Sequence, residues 1–175
     1  MPSKNQIKKQ KTGFTIIEVV LVLAIAGLIF LMVFVALPAL QRSQRDTQRR
    51  QDLSRAITAV QNYQANNDGT IPSFDDNFVT NYLKVGGDSF QDPGGTAYAF
   101  YNAATGTTKG IGSCGVTTAG AECKIQAPST FTSGRIVAVK NATCKGEKAV
   151  YASGANQFVL LMKLEGAGIA CLGNS

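Results

Sequence analysis

From Val19 to Leu40 the chain runs 22 residues without a charge, interrupted in its apolar character only by alanines, Gly27 and Pro38. At about 1.5 Å per residue a helix of that length reaches about 33 Å, enough for a hydrocarbon layer of about 30 Å. The segment therefore reads as a membrane span. Between Lys11 and Arg42 one side chain is ionisable, Glu18. A carboxylate at mid-bilayer costs roughly 2.5 to 3.5 kcal/mol on insertion scales, so a chain that keeps one needs a cation for it or a route to water.

The order of the segments excludes a secretory signal peptide, which has an apolar core of about 7 to 15 residues followed by a small-residue cleavage site. Here the apolar run is too long, and Ala36-Leu37-Pro38-Ala39-Leu40 has no small residues at both required places. Charge does not orient the span. Lys4, Lys8, Lys9 and Lys11 precede it, while Arg42, Arg45, Arg49, Arg50 and Arg55 follow it with Asp46 and Asp52 among them.

The segment Lys8-Lys9-Gln10-Lys11-Thr12-Gly13-Phe14-Thr15-Ile16-Ile17-Glu18-Val19-Val20 resembles the cleavage signal of type IV prepilins and pseudopilins. The resemblance implies that a prepilin peptidase at the cytoplasmic face cuts between Gly13 and Phe14 and methylates the new amine on Phe14. It matches Glu18 to the family's glutamate, fifth from the cut, which is thought to pair with the amino terminus of a neighbouring subunit. It thus supplies the missing cation. By this reading Glu18 fixes register between copies, as a buried polar residue does in a coiled coil. The partners implied are further copies in a helical filament, related minor pilins, the peptidase, an inner-membrane assembly platform, and the membrane before assembly.

Past the span, Leu53, Ala56, Ile57, Val60 and Tyr63 recur at helical spacing with polar residues between them, and Asn66-Asn67-Asp68-Gly69 supplies a stop. One helix is expected from about Phe14 to Asn66, roughly 80 Å long, bending or locally melting at Gly27 and Pro38. Members of the resembled family unwind near a proline when assembled, which makes Pro38 the matching candidate. The arginines from 42 to 55 read as a solvated face, with lipid headgroups, a neighbour's acids or DNA as other takers.

Residues 67–175 read as a small head. Ser73 and Asp76 stand at capping-box spacing before a short helix to Lys84, with Phe78, Val79, Tyr82 and Leu83 facing inward. Asp92-Pro93-Gly94-Gly95-Thr96-Ala97-Tyr98 resembles the turn of major pseudopilins, with Gly94 where the family has Trp, and leads into a strand from Tyr98 to Tyr101. Arg135 to Lys140, Lys148 to Ala152 and Gln157 to Leu164 are strand-like and expected to be antiparallel. Gly-rich residues 105–123 read as a surface loop. Some pseudopilins bind calcium in the head, but Asp88 and Asp92 are few carboxylates for a site needing about six to eight oxygens, and a turn-forming role is the expectation. Asn141-Ala142-Thr143 fits a glycosylation acceptor and is read as chance.

Cys114, Cys123, Cys144 and Cys171 all lie beyond the span, an even set suited to disulfides in an oxidising compartment, with three connectivities open. Cys114 with Cys123 and Cys144 with Cys171 are favoured. Each pair closes a local loop, and the resembled family ties down its last strand in this way. With no histidine and no Cys-x-x-Cys, zinc is disfavoured and no metal or other cofactor is expected. The same lack removes general-base activation of a nucleophile, and no phosphate loop is present, so an enzyme is not expected. Net charge is +6 over the whole chain but +2 over residues 14–175. That leaves little electrostatic reason for a nucleic-acid partner, which stays open as a candidate.

The expected organisation is a leader at 1–13, a transmembrane and filament-core helix at 14–40, an amphipathic continuation at 41–66 and a β-sheet head at 67–175. The fold class is α+β, a long helix on a small antiparallel sheet. The expected function is a pilus or pseudopilus subunit, with a minor pseudopilin of a secretion or DNA-uptake machine, or an uncleaved membrane-anchored binding protein, as alternatives.

Overall fold

The computed structural model describes residues 13–125, 131–132, 134–166 and 168–174. The lysines of the leader fall outside them. The chain divides into two compact units, Met1–Leu40 and Gln41–Ser175. Helix α1 (Ile16–Asn66) is helical without a break through Gly27 and Pro38. Its start is two residues later than the hydrophobic pattern suggests. In the first unit its large apolar side chains are all substantially exposed, from Ile16 at 86% to Leu37 at 44%.

In the second unit the helix turns amphipathic, and its buried residues are Arg49, Asp52, Leu53, Ala56, Ile57, Ala59 and Val60. The anticipated stripe is present, with Tyr63 packed at its edge. A turn bonded from the Gly69 N–H to the Gln64 carbonyl (2.8 Å) ends the helix, and Asp68 and Gly69 take positive φ there. The short helix that follows is α2 (Asp76–Phe78), widening into a π-turn over Val79–Leu83. Its cap is Asp75, whose Oδ1 accepts the Phe78 N–H (2.9 Å), in place of the expected Ser73. Ser73 instead donates to Asp75 Oδ2 (3.1 Å). A carboxylate at this end also complements the helix dipole.

The strands are β1 (Ala99–Asn102), β2 (Gly112–Ser113), β3 (Arg135–Lys140), β4 (Ala142–Lys145), β5 (Lys148–Tyr151), β6 (Phe158–Lys163) and β7 (Ile169–Gly173). The main sheet has the order β1-β3-β6-β7, with β2 continuing alongside β3, while β4 and β5 form a separate hairpin. It is mixed, not wholly antiparallel: β1 and β2 run parallel to β3, and β6 and β7 antiparallel to their neighbours. The long connection from β1 to β3 lets the chain re-enter in the same direction, which a tight turn cannot do. β2 needs its glycine, since a Cβ on Gly112 would lie 2.4 Å from the Ala104 nitrogen.

Both faces of the sheet are covered, which is why β3 and β6 read as unbroken apolar runs. Ile136, Ala138, Phe158, Leu160 and Met162 pack on the α1 stripe and the aromatic group of Phe74, Phe78, Phe90 and Phe100. Val137, Val139, Val159 and Leu161 pack on the opposite side against Ala103, Cys114, Cys123, Ala142 and Ala149. That outer layer holds both disulfides, Cys114–Cys123 and Cys144–Cys171. The second ties the β4–β5 hairpin to the last strand.

Loop length sets the expected cost of losing each bridge. Chain-entropy reasoning gives about 2.7 kcal/mol for the shorter loop and about 3.6 kcal/mol for the longer. In equilibrium urea unfolding, a Cys144→Ser, Cys171→Ser double variant should therefore fall further below the parent than a Cys114→Ser, Cys123→Ser one. The reverse order would show that packing of the outer layer, not loop closure, dominates.

Candidate processing and assembly site

In the first unit Thr15 is the residue before the helix and Glu18 stands at its third position. The Thr15 N–H donates to Glu18 Oε2 (3.1 Å), the Thr15 hydroxyl donates to the same oxygen (3.0 Å), and the Glu18 N–H donates to Thr15 Oγ1 (3.4 Å). This reciprocal arrangement is a capping box. It satisfies two of the amide donors that a helix start leaves without partners, and puts a negative charge at the positive end of the helix dipole. The Thr-x-x-Glu spacing was legible in the sequence, but the apolar pattern running on through Phe14 masked it.

No ion pair to Glu18 occurs among the described residues. Its second oxygen, Oε1, takes no described hydrogen bond. Phe14 stands exposed beside it. A Cβ added at Gly13 or at Gly27 would meet nothing within 4 Å, so packing within this chain requires neither glycine. The helix is apolar enough to cross a membrane, its best window having a mean hydropathy of 3.2 with none of it buried.

The arginine-rich stretch of the second unit departs from a simple solvated face. Arg49 is only 1% exposed. Its guanidinium holds Asp92 through two bonds (Nε to Oδ2, 2.6 Å; Nη2 to Oδ1, 3.0 Å), Glu165 (2.9 Å) and Asp46 (3.2 Å). Arg45 adds a second bond to Glu165 (2.8 Å). Asp46 in turn accepts the backbone N–H groups of Glu165 (2.7 Å) and Gly166 (2.8 Å). Hydrophobic periodicity has no place for a buried arginine, and two of its three acids, Asp92 and Glu165, come from distant segments, so only the fold could reveal the cluster.

Asp92 is thereby spent on Arg49 and on the Gly94 N–H (2.9 Å), the turn role expected for it. Asp88 pairs with Arg55. Among the described residues no group of three or more His, Cys, Asp or Glu is placed to hold a metal. Asn141 takes a left-handed bend between β3 and β4 and donates its amide to the Gly154 carbonyl (3.4 Å).

Burial pushes the Asp92 and Asp46 carboxyls up, yet the bonds from Arg49 and from backbone N–H groups outweigh it and leave both below the ordinary 3.8. Bonds from Arg45 and Arg49 lower Glu165 below 4.5. Asp52 behaves oppositely, raised by burial although it accepts the Tyr98 hydroxyl (3.0 Å) and Arg55.

Residues 8–34 match the model of the prokaryotic N-terminal methylation motif, the prepilin signal of type IV pilins and pseudopilins. No curated protein and no solved structure matches the chain. The motif indicates pilin- or pseudopilin-like processing, and its families are structural rather than enzymatic. Together with the apolar helix it points to membrane anchoring.

Two outcomes follow. Thr15→Val keeps the shape but removes the hydroxyl, and should cost about 1 kcal/mol of stability at the helix start, read by amide exchange at residues 16–20 in micelles. Acids with lowered pKa stabilise the fold above their unfolded values and lose that contribution as pH falls through the folded ones. The melting temperature of the head should thus fall as pH drops below about 4, and Glu165→Gln should flatten the fall. Asp52, raised, contributes the opposite slope.

Proposed function

We propose that this chain is a subunit of a type IV pilus or pseudopilus. In this reading it is cut between Gly13 and Phe14, methylated on Phe14, and polymerised with Glu18 facing the terminal amine of a neighbour. The observation that carries the reading is the lone carboxylate, Glu18, within the methylation motif and at the head of an exposed helical stretch that has no other charge up to Leu40. The apolar surface of the first unit must be covered by lipid or by other copies, and the two covers are interchangeable.

Cleavage creates an ammonium at Phe14, next to the positive end of its own helix dipole, where a cation is disfavoured. Glu18, tied to Thr15 through one oxygen, keeps the other for a donor from outside. Opposite charges about 4 Å apart attract by about 1 kcal/mol in water and by about 4 kcal/mol at an effective dielectric of 20, while each alone in hydrocarbon is penalised. The pair therefore favours assembly over the solitary subunit and sets the stagger between copies.

The partners are further copies, related minor pilins, a prepilin peptidase and an inner-membrane assembly platform. The head lies outside the cytoplasm, where the disulfides form, and ends on a pilus or pseudopilus. Gly27 and Pro38 are the places where the assembled helix bends. Gly13, which nothing in the fold requires, fits recognition by the peptidase.

The test is direct. Mass spectrometry of the mature protein should find its amino terminus at Phe14, methylated, in material that sediments as a polymer. Glu18→Val should leave cleavage intact but cut filament yield at least tenfold; normal yield with unchanged subunit spacing would sink the pairing. An intact leader on a monomeric membrane protein would instead favour the anchored binding protein.

A further inference from the structure

The second unit carries one exposed apolar projection and one apolar recess, on opposite sides of its sheet. Val85, 64% exposed, is the one large apolar side chain that the described residues of this unit leave in water. It follows Leu83, which is buried in the core on the α1 side of the sheet, and Gly86 and Gly87 take positive φ and turn the chain directly after it. Lys84 beside it is exposed and makes no ion pair among the described residues. The recess, about 300 Å³, lies on the outer side, floored by Ile125, Phe131, Leu161 and Ile169. Glu147 stands at its rim with its carboxylate close against Gly168, where an added Cβ would lie 2.5 Å from Oε1. Glu147 too makes no ion pair among the described residues, while Lys148 next to it is held by Glu122 (2.8 Å).

We propose that the Lys84–Val85 projection of one copy seats in this recess of a second copy, with Val85 on the apolar floor and Lys84 against Glu147. An isolated exposed valine needs no explanation. Here its match in shape and charge selects the occupant: one apolar side chain beside one free cation meets one apolar recess beside one free acid. Burying the valine removes apolar surface from water on both copies, while the ion pair at the rim fixes which surface fits and in which orientation more than it adds affinity. Since the two surfaces lie on opposite sides of one sheet, they cannot meet within a chain. A contact between two different surfaces leaves each copy a free projection or a free recess for the next, so it passes from copy to copy as a helical assembly requires. It rests on the reading of this chain as a self-assembling subunit, and adds to the pairing at Glu18 a second joint, between heads.

Carbodiimide coupling of the full-length chain, in its membrane and in sedimented polymer, tests the contact when isotopically labelled and unlabelled copies are mixed and the products read by mass spectrometry. An amide between Lys84 and Glu147 should join a labelled copy to an unlabelled one. Val85→Asp should cut that coupling at least about tenfold and Val85→Ile should hold it within about twofold, both without moving the melting temperature of the head, because the side chain is exposed. Lys84→Glu and Glu147→Lys together should regain coupling between the same two positions. Cleaved, sedimenting polymer without the amide, coupling that Val85→Asp leaves unchanged, or a double reversal that does not regain it would each overturn the contact and leave the pairing at Glu18 standing. Coupling in the membrane with no polymer formed would keep the contact and sink the filament reading. Absence of the amide in both states overturns the contact outright.

Discussion

An uncharged helix surface that water will not tolerate, bearing one acid at its beginning, governs what this molecule can be. The large side chains of residues 14–40 have no cover among the described residues. The second unit buries its own apolar stripe against the sheet, and the first does not. In the capping box Glu18 is held by Thr15 at the helix start. Such a hold is worth little against a full charge pair, so it orients the carboxylate without competing strongly for it.

The head shows how a buried ion pair is accommodated. Arg49 is costly to desolvate, and the fold meets that cost with several short bonds from three segments. Its planar fork suits this better than an ammonium would, because two bonds to Asp92 fix both distance and angle. The cluster closes the end of the apolar stripe, below which the helix buries nothing.

Much of this architecture was readable from residue order. The span, the Leu53 to Val60 stripe and the strands from Arg135 and from Gln157 follow from periodicity, because burial leaves its spacing in the chain. The pairing of the cysteines agreed with local loop closure. What escaped was set by contacts distant in sequence. The parallel placement of β1 against β3 depends on the path of a long connection that no local signal encodes. The assignment of Lys148 to Tyr151 to a hairpin apart from the main sheet likewise rests on which surface was left open. Arg49 looked like its neighbours Arg42 and Arg50, and only the position of Asp92 and Glu165 distinguishes it.

Both covalent crosslinks lie in the outer layer, on the side of the sheet away from α1. The helix and the inner face of the sheet are thus joined by packing and charge alone, while the exterior is stitched. Exposed residues of the loop closed by Cys114 and Cys123 are free to diversify, because their substitution leaves the inner seam untouched. A lineage under pressure to alter what its exterior displays could rewrite that loop generation after generation and still keep the helix seated on the same face of the sheet.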